Sequence, residues 1–260
     1  MAKYFIELAY NGENFSGWQK QPNASTIQEE LERVLNIVFN EKIETVGCGR
    51  TDAGVNASQF FAHFSTEQII SNNQLISENN SIIAHNNGKS IDIVSKINKI
   101  IDKNIVIYKI FKVDDDLHAR FSAKSRTYKY FILLKKNPFK QQFSYYIPHT
   151  LDINKMNEAC VKLHDYTNFS AFSKLHTQTF TNNCKILKAQ WIRNEDELVF
   201  TIQADRFLRN MVRAIVGTML DVGSEKINID DFCKIIESND RSQAGFSVPA
   251  HALYLASVTY

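Results

Sequence analysis

Along the first ten residues, Tyr4, Ile6, Leu8 and Tyr10 alternate with Phe5, Glu7 and Ala9, the period-two pattern of a strand. Asn11-Gly12 ends it, since both residues accept turn backbone. The period then changes. Ile27, Leu31, Val34, Leu35 and Val38 recur three and four apart, which lines one face of a helix. Ser25, followed three residues later by Gln28, predicts a capping box at its start. A strand near Ile43–Gly47 and another in "ASQFFAHFST" flank the stretch "VGCGRTDAGVNA", residues 46–57.

Between Ser71 and Gly88 the apolar periodicity fades and six asparagines occur in 18 residues, which predicts a surface loop or insertion. Ile91, Val94, Ile97 and Ile101 suggest a helix that leads back to the strand "NIVIYKIFKV". "RTYKYFILLK" reads as a strand, and Met156, Ala159, Cys160 and Leu163 mark a helix. "KILKAQWIRNEDELVFTIQA" is a hairpin that turns at Asn194-Glu195-Asp196. Helices at roughly 207–222 and 230–238 precede a last strand, "ALYLASVTY". Hairpins mixed with helices predict an α+β chain with largely antiparallel sheet. The two halves have similar strand and helix content, and the boundary is expected near residue 104, giving domains 1–103 and 104–260.

Composition narrows the class. A chain of 260 residues, 44% hydrophobic and 22% charged, matches ordinary globular proteins. No apolar run approaches the roughly 18 residues of a membrane span, and the strand-like start does not resemble a signal peptide. Cys48, Cys160, Cys184 and Cys233 are scattered without a CxxC pair, which fits reduced thiols in a cytoplasm. A net charge of +2 leaves polyanion binding to local patches. The seven histidines include no HxH or HxxxH pair, so no metal is expected. Phosphate-binding glycine loops and a GxSxG elbow are absent as well. Asp114-Asp115-Asp116 is most simply a turn after the preceding strand.

Three places remain for chemistry. Asp52 is the single acid of residues 46–57, set between Arg50-Thr51 and Ala53-Gly54; alone, Asp with Gly two places on is ordinary turn chemistry. "HARFSAKSRTYKY", His118 to Tyr130, carries Arg120, Lys124, Arg126 and Lys129 with no acid, interleaved with Phe121, Tyr128 and Tyr130. Cations beside aromatic faces suit stacking on an unpaired base next to its phosphates. A half-buried strand with a solvated basic face is the plainer alternative. In "DRFLRNMVRAIVGTMLDVG", Arg206, Arg209 and Arg213 are spaced to share one face of a helix, opposite a stripe of Leu208, Met211, Val212, Ile215 and Met219. Such guanidiniums face water, another segment's carboxylate, or phosphate.

"FSGWQKQ", "GCGRTDAGV", "HARFSAKSRTYKY", "FLRNMVRAIVGTMLDVG" and "AGFSVPAHALYLASVTY" closely resemble, in the same order, the blocks of the tRNA pseudouridine synthase A family. The resemblance implies the pseudouridine synthase fold, with two α/β halves around a central basic cleft. It implies isomerisation of uridine to pseudouridine at positions 38, 39 and 40 of the tRNA anticodon stem-loop, without metal or cofactor. A cytoplasmic homodimer in which one tRNA touches both subunits is implied as well. By the same resemblance, Asp52 is the catalytic aspartate and Tyr128 the tyrosine against the target base. Arg213 is the arginine paired with the aspartate, and Arg50 helps to flip the base out. Two departures stand out: Asn56 occupies a position where the family usually has His, and "INKIIDKNI" keeps little of an Asn-x-x-Leu-Pro pattern.

The reaction breaks the N1–C1′ bond, turns the uracil and rejoins it through C5. A carboxylate can assist by attack at C1′ or C6, or by taking a sugar proton on the way to a glycal. Arg213 would keep Asp52 charged, Tyr128 would stack on the extruded base, and the site would form where the halves meet. Lys124, Arg126, Arg206 and Arg209 would hold phosphates. A non-catalytic RNA-binding protein is the second reading; a carboxylate hydrolase is the third, lacking a second acid in the motifs.

Overall fold

A computed structural model of the chain describes residues 1–68, 83–86, 89–174 and 180–260. It divides into two compact units, residues 1–123 with Tyr260, and residues 124–259. The division falls after Ala123 rather than near residue 104. The reason is that β6 (Ile105–Lys112) pairs antiparallel with β1 (Ala2–Tyr10), so the strand expected to open the second half belongs to the first unit.

In the first unit, β1 lies between β6 and β3 (Asn56–Thr66), and the two-residue β2 (Val46–Gly47) adds to β3. All of these pairs are antiparallel. β1 is buried on both faces over most of its length, which its Phe5–Tyr10 run allows. Helix α1 (Ile27–Phe39) buries Ile27, Leu31, Val34, Leu35 and Phe39. Its cap is Thr26, not Ser25: the Thr26 hydroxyl accepts the Glu29 N–H at 3.3 Å. Gln28 is therefore not part of a capping box. Its amide donates to the Thr45 carbonyl at 2.8 Å and to Glu32 Oε1 at 3.1 Å. Buried Glu32 in turn accepts the Thr45 N–H at 2.9 Å, which locks the helix to the segment entering β2.

The asparagine-rich stretch expected as a loop overlaps a hairpin. β4 (Ile83–Asn86) pairs with β5 (Lys89–Asp92), while residues 71–82 and 87–88 lie outside the described residues. The next helix, α2 (Ile93–Asn98), is shorter than its apolar pattern suggested. Asp92 caps it by accepting the Ser95 N–H at 3.2 Å, so Ile91 stays in the strand. Asn98 then brackets β6, donating to the Ile107 carbonyl and accepting the Ile107 N–H, both at 2.8 Å.

In the second unit, β7 (Ser125–Leu133) lies between β11 (Leu253–Thr259) and β10 (Glu197–Ala204), and β9 (Ile186–Asn194) is outermost. The short β8 (Tyr145–Tyr146) runs parallel to β7; the other pairs are antiparallel. Glu195 takes positive φ in the β9–β10 turn. Helix α3 (Ile153–Lys162) sets Asn157 against β9, donating to the Trp191 carbonyl at 3.1 Å and accepting its N–H at 2.9 Å.

Helix α4 (Met211–Gly223) is the core of this unit. Eleven of its thirteen residues are buried, all but Arg213 and Asp221. Gly217 and Gly245 let the loop before β11 close on it: a Cβ at Gly217 would lie 1.8 Å from the Phe246 carbonyl oxygen. Helix α5 (Ile229–Ser238) starts with a capping box between Asn228 and Asp231. Together the units show the α+β, mostly antiparallel architecture expected from the sequence. Among the described residues no helix is long and apolar enough to cross a membrane.

Thr26→Ala should cost about 1–2 kcal/mol through loss of the cap, whereas Ser25→Ala, at an exposed position, should stay within about 0.5 kcal/mol. Urea unfolding of both variants checks this; equal losses would return the cap to Ser25.

Candidate active site

Asp52 is partly exposed at the start of a turn in which the Val55 N–H donates to the Asp52 carbonyl at 3.1 Å. Gly54 takes φ +75°, which a residue with a Cβ resists. The chain just after β1 grips this turn from several sides. The Tyr10 hydroxyl meets Thr51 Oγ1 at 2.9 Å, both residues buried. The Gly12 N–H donates to Asn56 Oδ1 at 2.8 Å. The Trp18 N–H reaches the Thr51 carbonyl at 3.3 Å, and the Gly54 N–H reaches the Phe15 carbonyl at 3.2 Å. Such an approach demands glycine. A Cβ at Gly12 would stand 2.2 Å from the Val55 carbonyl oxygen, and one at Gly17, whose φ is +89°, 2.3 Å from that of Thr51.

These contacts explain why "FSGWQKQ" accompanies the Asp52 motif: one braces the other. Asn56, the departure from the usual His, is 2% exposed and spends its carbonyl oxygen on Gly12. Arg50 is exposed, next to Gly49, around whose Cβ position nothing lies within 4 Å. Tyr10, Gly12, Gly17 and Thr51 were not singled out from the sequence. Their signal was the Gly and aromatic content of residues 10–18, legible only once the turn they contact is known.

In the second unit Tyr128 is partly exposed on the central strand β7, opposite Ile202 and Leu255. Its ring meets Phe207 edge-on at 5.1 Å. Tyr130, two residues on and so on the same face, is fully buried and donates its hydroxyl to the Pro249 carbonyl at 3.0 Å. Burial pushes the Tyr130 phenol far above its usual range, Tyr145 adds to that, and the Arg213 charge opposes it. Arg213 thus lies beside the face that carries Tyr128. Its Nε donates to the Val248 carbonyl at 2.7 Å, and its own carbonyl accepts the Val248 N–H at 3.3 Å. The guanidinium is oriented by backbone on the one face of α4 that is not buried.

The expected face of three arginines is corrected. α4 begins at Met211, not 207, because Asn210 takes φ +67°, left-handed backbone that does not continue a helix. Asp205 holds the preceding loop by accepting the N–H groups of Lys185 and Arg206 at 2.8 and 2.7 Å. Arg206 and Arg209 therefore lie in that loop, the first partly exposed and the second exposed. Burial pushes the neighbouring Cys184 thiol up to about 12, with the Arg206 charge opposing. Arg126 Nη1 donates to the Asp205 carbonyl at 2.8 Å, so it ties β7 to the same loop, while Lys124 is exposed.

Similarity to known proteins extends along the whole chain. A family profile described as tRNA pseudouridine synthase matches residues 159–260. A relative from Parabacteroides distasonis, called tRNA pseudouridine synthase A, is 49% identical over 260 residues, covering 100% of this chain and 96% of its own. The chain belongs to the tRNA pseudouridine synthase A family. A Bacteroides fragilis member of this family is 48% identical, covering 99% of this chain and 96% of its own. One from Dictyoglomus thermophilum is 36% identical over the full length of both. As a member of this isomerase family the chain is an enzyme, and the motif residues can be weighed as parts of a reaction site. Among the described residues no group of three or more His, Cys, Asp or Glu could hold a metal ion.

The first unit also contains a histidine pair. His63 on β3 is 8% exposed, accepts the Ala119 N–H at Nδ1 at 3.1 Å, and lies 4.7 Å from His118. Burial, with the His118 and Lys3 charges, pushes His63 down to about 4. An unfolded chain keeps the ordinary value of 6.5 and so takes up its proton first as pH falls. Stability from the neutral ring is complete above about pH 6.5, declines between there and about pH 4, and levels off below; the full effect is of order 3 kcal/mol. Urea unfolding from about pH 7 to pH 4 should show that decline. His63→Asn, which keeps an acceptor for Ala119, should flatten it.

Proposed function

We propose that the enzyme isomerises uridine to pseudouridine in tRNA at positions 38, 39 and 40 of the anticodon stem-loop, with Asp52 as the nucleophile. The observation that carries this reading is the placement of Asp52. In a chain of this family, the one acid of its motif stands at a solvent-reachable turn held by Tyr10, Gly12 and Gly17. Fixing a carboxylate in this way removes orientational freedom before substrate arrives. An ordinary surface turn needs no such bracing.

In this reading the target uridine leaves the helical stack, at a cost of a few kcal/mol. Tyr128 stacks on the extruded base and returns roughly 1–3 kcal/mol. Its edge contact with Phe207 would hold the ring upright for that purpose. Asp52 attacks C1′ or C6, or takes a sugar proton, as the N1–C1′ bond breaks. The uracil turns, C5 bonds to C1′ as Asp52 leaves the adduct or returns the sugar proton, and the C5 proton is released to solvent. Arg213, a permanent cation held by the Val248 carbonyl, keeps the carboxylate charged. Arg50 helps to extrude the base, and Lys124, Arg126, Arg206 and Arg209 hold phosphates by charge and shape. The same reading has no cofactor and takes place in the cytoplasm. It uses a homodimer in which one tRNA touches both subunits.

Bulk tRNA labelled with tritium at uridine C5 reports the reaction, since forming the C5–C1′ bond must release the label. Wild-type enzyme should release it, and Asp52→Asn should release none while still binding tRNA. Full release by that variant would remove Asp52 from the chemistry. Mapping the modified nucleotides then tests the three positions.

Arg213→Lys keeps the charge but loses the planar fork. Turnover should fall about 100-fold or more, while unfolding free energy drops by only about 1 kcal/mol, the worth of one backbone hydrogen bond. Proportionate losses of stability and rate would make Arg213 a structural residue.

A further inference from the structure

Of the basic segment His118–Tyr130, only the second half, with Lys124, Arg126 and Tyr128, takes part in the proposed reaction. Its first half has a separate geometry. Phe121 is 77% exposed, so its ring contributes little to folding, yet the turn that carries it is tightly held. His118 Nδ1 accepts the N–H groups of Arg120 and Phe121 at 3.1 and 3.2 Å. The His118 N–H donates to Ser122 Oγ at 2.9 Å, and the Ser122 N–H returns to the His118 carbonyl at 2.9 Å. The Ala119 N–H is taken by buried His63, and the Ala119 carbonyl accepts the Tyr260 hydroxyl at 2.7 Å. The His118 ring backs the Phe121 ring at 4.4 Å, and the Arg120 guanidinium lies 5.6 Å from its centroid.

An exposed aromatic ring that is pre-positioned in this way, with a cation beside it, is what sequence-tolerant stacking on a nucleobase requires. The cation nearest the ring, Arg120, has the sign that favours the same ligand. Burial holds His118 below its ordinary value, and the positive charges of Lys3 and Arg120 add to that. A protein partner fits less well, because within this turn Phe121 has polar neighbours, Arg120 and Ser122, rather than a continuous apolar patch. The position also lies apart from Asp52. His63, which holds the Phe121 turn, lies seven positions along β3 from Asn56, at the base of the Asp52 turn; that is about 23 Å of strand.

We propose that Phe121 and Arg120 form a second nucleotide-binding platform, on which an unpaired base of the same tRNA stacks, away from the uridine that reacts. The platform rests on tRNA being the substrate. It supplies affinity and register rather than chemistry, so its loss reads out in binding and not in the rate at saturation.

The test measures Kd for bulk tRNA by filter binding, and KM and kcat by tritium release, for wild type and four variants. Phe121→Ala should weaken Kd and KM about 10-fold, within the range of one lost base stack, with kcat unchanged. Phe121→Trp should restore affinity and Phe121→Leu should not, because Leu keeps apolar bulk without a π face. Arg120→Ala should lower the slope of log Kd against log salt by about 0.7–0.9, one phosphate contact. Unchanged Kd in Phe121→Ala, or equal rescue by Leu and Trp, overturns the platform. So does a change of oligomeric state in Phe121→Ala, which would mark Phe121 as a docking point for a second copy. Wild type that binds tRNA but releases no tritium would sink the isomerase reading and leave the binding comparison intact.

Discussion

The close contact between two stretches of backbone, residues 12–17 and 51–55, is the constraint that fixes the Asp52 turn. It exists only because Gly12 and Gly17 have no side chains: a Cβ at either would sit 2.2–2.3 Å from a carbonyl oxygen of the opposing stretch. Once the stretches touch, their polar groups must be satisfied, because buried backbone groups without partners are costly. Phe15 and Trp18 supply backbone partners, while Tyr10 and Asn56 supply side chains. The outcome is a carboxylate whose backbone has little freedom while its side chain still faces solvent.

The second unit reaches a comparable end by a different route. Its organising element is α4, buried nearly all round, where a cation would ordinarily be unwelcome. Arg213 is tolerated because it emerges in the helix's first turn and gives a hydrogen bond to Val248. The loop that brings Val248 there is itself admitted by Gly217 and Gly245. In both units, then, missing side chains allow backbone to approach, and the approach aims a charged group.

Much of this was legible in the chain. Strand alternation located β1, β3, β6, β7 and the β9–β10 hairpin, because each has one face or two to bury and few competing signals. Asp52, Tyr128 and Arg213 were picked out by the resemblance of their motifs to the family, since Asp52 alone reads as an ordinary turn residue. What failed did so for local reasons. The helix expected from 207 was read from apolar spacing that Leu208 satisfies inside a turn, and the left-handed Asn210 that delays the helix has no periodic signature. Ser25 looked like a cap because the spacing to Gln28 fits. A buried Glu32 bonded to Thr45 draws Gln28 elsewhere, a long-range effect invisible to local patterns. The bracing glycines were plain as letters, but their reason lay some 40 residues away.

Asn98 and Asn157 hold a wider consequence. Each lies in a short helix and meets the outermost strand of its unit's sheet with both halves of its amide, one at Ile107 and the other at Trp191. The amide imitates the rung of a further strand. An open edge recruits foreign chains through such unpaired groups, and here a single side chain occupies the place where recruitment would begin. The two units thus guard these outer strands by the same means, one asparagine from the helix packed against each.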